Sequence, residues 1–141
     1  MTGQIMQISK RLAALLVAGL LLAGCDRNSP LENVVDAPTE ASAGTSLEAV
    51  TQVIERAGAP RGWIMEVVQP GLIRGSLTTG GGKHEIEVEI TYDQEIFSIT
   101  YLGSRNMNYD VFYDGPYIHY KYNRWIRILK DDIQARLKGL P

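Results

Sequence analysis

The 141-residue sequence holds one cysteine, Cys25, and two histidines, His84 and His119. A single cysteine excludes an intrachain disulfide framework, so stability has to come from a packed core. Two histidines fall short of the three or four protein ligands of a zinc centre, with only Asp110 or Asp114 as recruits. No metal site and no cofactor are expected. Neither Ser98 nor Ser104 sits in a nucleophile-elbow context, so no catalytic residue emerges and a non-enzymatic role is expected. Positive charge is scarce: 14 Lys and Arg stand against 16 Asp and Glu, a formal net charge of −2. That balance argues against a nucleic-acid partner. Long apolar runs are missing too. The run from Leu12 to Gly24 covers 13 residues, well short of the roughly 20 that a membrane-spanning helix needs.

What is present begins at that run. Lys10-Arg11 precede it and Cys25 closes it, which is the shape of an export signal. Leu22-Ala23-Gly24-Cys25 resembles the lipobox of bacterial lipoproteins: a branched residue, two small residues that fit a peptidase groove, then the cysteine. The resemblance implies that residues 1–24 are a signal peptide, that Cys25 carries a diacylglyceryl group, and that the new amino terminus is acylated. Two or three acyl chains, at about 0.8 kcal/mol per buried methylene, hold persistently where one binds marginally. The alternative is an ordinary secretory signal with an incidental cysteine. The expected address is a bacterial cell membrane, reached through lipidated Cys25 and facing the periplasm. Asp26 resembles the residue that withholds enterobacterial lipoproteins from the outer membrane, which implies inner-membrane retention; alternatively it simply opens a polar linker.

Without residues 1–24 the chain has 117 residues and a net charge of −4, which suits one small domain. From Pro116 onward six cations face two acids, while residues 25–115 are strongly acidic. Residues 25–44 mix Pro, Ala, Ser, Asn and acids without a helical or strand period, so a disordered tether is expected there. A single domain is expected over 45–141.

Thr45 and Glu48 stand at capping-box spacing, and Leu47, Val50, Ile54 and Ala57 recur on one helical face before Gly58 and Pro60 end it. Trp63 to Gln69 and Leu72 to Thr78 read as strands around Pro70-Gly71. Ile64, Val68, Ile73 and Leu77 alternate, but that register also points Glu66 inward, leaving a bulge or an edge position open. A second hairpin, turning at Asp93-Gln94, pairs Ile90 with Phe97, Val88 with Ile99 and Ile86 with Tyr101. Ile118, Tyr122, Trp125, Ile126, Leu129, Ile133 and Leu137 follow a helical period, so His119 is placed at the start of a last helix. The expected fold is therefore α+β, a two-layer sandwich: a four-stranded antiparallel sheet of two hairpins with an N-terminal and a C-terminal helix on one face.

Gly62-Trp63, the His-led hairpin from His84 to Tyr101, Ser104-x-Asn106-Met107-x-Tyr109 and Ile118-His119-x-x-Tyr122-Asn123-x-Trp125-Ile126 together resemble a family of small bacterial lipoproteins of unassigned function, over roughly residues 60–138. The resemblance brings no catalytic residues with it. The stretch Gly103 to Gly115 reads as a long polar connection, and such connections are often functional. Arg105, Asn106 and Tyr109, with His119 and Asn123, form the candidate ligand site, the competing reading being a network that ties this connection to the last helix. His84 and His119 are expected to converge at one sheet edge. Two roles follow: an interaction or assembly-support role with an envelope protein partner, or a module binding a small ligand or cell-wall fragment.

Overall fold

The computed structural model describes residues 27–141. Cys25, Asp26 and the expected signal peptide lie outside the described residues. The fold is α+β, with two helices and antiparallel sheets, but it has two sheets where one of four strands was expected. Eight strands occur: β1 (Asn28–Pro30), β2 (Val34–Pro38), β3 (Trp63–Gln69), β4 (Leu72–Thr79), β5 (His84–Tyr92), β6 (Ile96–Arg105), β7 (Asp110–Phe112) and β8 (Gly115–His119). Helix α1 (Leu47–Ala57) lies between β2 and β3, and α2 (Lys121–Lys138) ends the fold. The larger sheet runs β2-β6-β5-β4-β3 and the smaller β1-β8-β7.

Two of the four extra strands, β1 and β2, come from the segment expected to be a tether; β7 and β8 come from the expected connection and the expected start of the last helix. Over residues 27–44 there are instead two strands and a turn. β1 pairs with β8 and β2 with β6. The segment lacks a strand period because side chains carry much of its attachment. Asn33 Oδ1 accepts from Tyr101 N, Ser98 Oγ accepts from Asp36 N, and Thr39 Oγ1 donates to the Gln94 carbonyl. A register shift between Val34 and Ala37, with Asp36 at φ 50°, breaks the alternation.

The central hairpin has the expected inward face but a register moved by two residues. Ile90 pairs with Ile99, Tyr92 with Phe97 and Val88 with Tyr101. The turn is Gln94-Glu95, because Asp93 Oδ1 accepts from the amides of both Glu95 (2.7 Å) and Ile96 (2.8 Å). A shift of two keeps every side chain on its face, so Ile86, Val88, Ile90, Phe97 and Ile99 are all buried. In β3 the inward residues are Trp63 and, in part, Met65; Ile64 and Val68 face solvent. β3 is an edge strand with a bulge between Val67 and Gln69. Pro70-Gly71 closes the β3–β4 turn with Gly71 at φ 85°, where a side chain would be strained.

Ser46, not Thr45, caps α1: its hydroxyl accepts from Ala49 N at 3.1 Å. The Thr45 hydroxyl is already committed to the Ser42 carbonyl. Val50, Ile54 and Ala57 from α1, and Tyr122, Ile126, Leu129, Ile133 and Leu137 from α2, join the inward sheet face in one core. Ile118 is fully buried as expected, but from β8; α2 begins only at Lys121. Pro116 and the pairing of β8 on both sides hold Gly115–His119 extended.

Candidate functional site

At the junction of the two sheets lies a pocket of about 270 Å³, lined by Arg27, Thr79, His84, Asn106, Met107, Asn108, His119, Lys121 and Trp125. Arg27 enters from the residue before β1, His84 from the start of β5, and His119 and Lys121 from the β8–α2 junction. The convergence of the two histidines matches expectation. Among the described residues no carboxylate lines this pocket.

Its walls are fixed by a backbone feature and three side chains. Gly80, Gly81 and Gly82 all have positive φ, a run that glycine adopts without penalty, and they carry the chain from β4 round to His84. Arg105 donates to the Gly82 carbonyl and pairs with Glu85 at 3.1 Å, while the Asn106 amide donates to the Lys83 carbonyl. In return, His84 Nδ1 donates to the Asn106 carbonyl at 2.8 Å. Asn106 and Asn108 occupy the left-handed region at φ 56° and 50°, flanking buried Met107. Asn is one of the few side-chain-bearing residues that tolerates this conformation.

His119 is held by its backbone amide on the Met107 carbonyl and by its ring, stacked on Tyr120 with centroids 4.7 Å apart. Its Nδ1 accepts from Lys121 N, leaving Nε2 as the protonated nitrogen of the neutral ring. Burial lowers the His119 pKa from its ordinary value, and the cations Lys121 and Arg27, with His84, add to the shift. The pocket therefore offers the guanidinium, the ammonium, a neutral imidazole N–H and asparagine groups, a set suited to an anionic group.

The expected ligand residues divide. Asn106 and His119 line the pocket. Arg105 clamps the glycine loop, and Tyr109 stacks on Tyr101 with centroids 4.7 Å apart. Asn123, only 1% exposed, binds the N-terminal segment: Oδ1 accepts from Glu32 N, and Nδ2 donates to Ser29 Oγ and the Pro30 carbonyl. The competing structural reading thus describes Arg105 and Asn123. The connection Gly103 to Gly115 is broken up by strands: its first three residues end β6, Asp110–Phe112 form β7 and Gly115 opens β8. Arg27 and Lys121 were missed as site residues because Arg27 was assigned to a tether and Lys121 to a solvated helix face. Among the described residues no group of three or more His, Cys, Asp or Glu is arranged to hold a metal ion. No described helix is long and apolar enough to cross a membrane. No family model, curated protein or solved structure matches the chain.

Proposed function

We propose that this chain is a lipid-anchored, non-enzymatic protein of the bacterial envelope whose pocket takes the anionic group of a small ligand or wall fragment. The observation that carries the ligand reading is the convergence of Arg27, Lys121, His84 and His119 around a pocket to which no described acidic residue contributes. Anchoring rests on Lys10-Arg11, the apolar run and Leu22-Ala23-Gly24-Cys25. Kinship with small lipoproteins of unassigned function, and retention on the periplasmic face of the inner membrane through Asp26, belong to the same proposal.

Sulfate keeps its charge across neutral pH and serves as the probe. In a nuclear magnetic resonance titration of the mature chain, the amides of His84, His119 and Lys121 should shift, and Arg27→Ala with Lys121→Ala should abolish the shifts. An unresponsive wild type defeats the ligand reading. Anchoring is checked separately: Cys25→Ser should leave an uncut precursor or release the protein from the membrane. For sorting, wild type and Asp26→Ser are fractionated side by side, and outer-membrane sedimentation of both removes any role for Asp26.

An assembly-support role with an envelope protein partner is the second reading, favoured by the open edge of β3. There Ile64 is 72% exposed beside unpaired strand backbone, a surface to which an extended segment can add. Cross-linking in membranes should then capture a partner that Ile64→Lys loses.

A further inference from the structure

We infer that the outward face of the small sheet β1-β8-β7 is seated in the headgroup layer of the bilayer, with Phe112 and Tyr113 as its aromatic contacts. This rests on the anchoring of Cys25 proposed above. The argument starts from chain length. Two peptide steps separate Cys25 from Arg27, and they span at most about 7 Å. A flexible tether of the length first expected would have had a mean span of roughly 25 Å. Arg27 is already fixed, since its carbonyl accepts from Tyr120 N at 2.8 Å. The acylated residue is therefore held close to β1, and the domain has almost no slack.

β7 lies two strands from β1 across this sheet, about 10 Å at the usual strand spacing, and Phe112, opposite Gly115, is about 13 Å further along β8 than Asn28, opposite His119, so the face lies flat along the bilayer. At its end the hairpin exposes Val111 (63%), Phe112 (49%) and Tyr113 (103%). Phe112 packs edge-on against Tyr117, with centroids 5.3 Å apart. A cleft of about 300 Å³ opens between these rings and Asn28, beside the point where the chain enters. Aromatic rings with polar tips settle at the depth where hydrocarbon meets headgroups. The acids on this hairpin, Asp110 and Asp114, stay at headgroup level; Asp114 accepts from the Tyr117 hydroxyl at 2.9 Å. Arg27 and Lys121 stand at the opposite end of β8 from this turn, beside His119.

The test uses the mature protein purified from membranes, its acyl chains verified by mass, in zwitterionic vesicles. Tyr113→Trp places a reporter at a fully exposed position, where the fold does not depend on the side chain. Its emission, taken as the difference from the parent protein with native Trp63 and Trp125, should shift to the blue and fall about two-fold when the vesicles contain lipid brominated near the glycerol. Val68→Trp, on the outward face of β3, should stay unquenched. A Tyr113→Trp emission unchanged by brominated lipid overturns the seating, whether the hairpin then faces water or a protein. If the purified protein lacks acyl mass, the anchoring itself fails and the seating with it, so the two failures are distinguishable.

Discussion

The two sheets differ in how their strands find one another. The large sheet is built around hairpins: β3–β4 turns at Pro70-Gly71 and β5–β6 at Gln94-Glu95, each with apolar residues alternating toward the helices. The small sheet needs partners from opposite ends of the chain, and Asn123 reaches Ser29 across 94 residues of sequence. Local pairing yields a scaffold whose outward face on β5 is Glu85, Glu87, Glu89 and Thr91. Distant pairing of β1 with β8 brings Arg27 to the pocket, next to the local β7–β8 hairpin that exposes the aromatic rings. The site thus sits where the start of the described chain meets the β8–α2 junction, one of several places where its two ends come together.

The largest effect is expected within the large sheet. Ile99 is fully buried in β6, between β2 and β5, so Ile99→Ala should cost about 4 kcal/mol in urea unfolding, with the denaturant slope unchanged. Asn123→Ala comes next. It strands Glu32 N and the Pro30 carbonyl and should cost about 2–3 kcal/mol. It also sharpens the comparison: amide exchange should quicken in β1 and β8 while β4, β5 and β6 remain protected. Equal loss of protection in both sheets would show a single cooperative unit.

Asp93→Ala should cost about 1 kcal/mol at neutral pH, since it removes the two turn contacts. The amides of Ile96 and Glu95 hold the Asp93 carboxyl below its ordinary value. A depressed carboxyl stabilises the fold above its unfolded pKa, and that contribution is lost as pH falls through the folded value. The difference between wild type and variant should therefore shrink in acid, as thermal melts at stepped pH would show. The smallest effect is Tyr122→Phe. Among the described residues the buried Tyr122 hydroxyl has no hydrogen-bond partner, and burial raises its pKa well above the ordinary value. Its removal should be neutral or stabilising by up to about 1 kcal/mol in the same melts.

Much of the large sheet was legible because amphipathic alternation is a local property. Ile86, Val88, Ile90, Phe97 and Ile99 declared their face even though Asp93 moved the register by two. The stripe on α2 was legible for the same reason. Residues 28–38 were not, because their attachment runs through Asn33, Ser98 and Asn123 to positions far along the chain. Ile118 fell on the helical period by coincidence of spacing, which hid β8 and the start of α2 at Lys121. At the site, the meeting of His84 and His119 was readable from their placement at element ends. Arg27 and Lys121 lacked any local signal, since only β1–β8 pairing brings them together.

Amide hydrogen exchange of the acylated protein, compared between vesicles and detergent-free solution after removal of the acyl chains, bears most directly on the claim that the small sheet is the docking end. Exchange should slow on vesicles across residues 109–120 and stay unchanged on β3 and along the outward face of β4 and β5. Slowing at Ile64–Val68 instead, or no slowing at 109–120, would contradict the account.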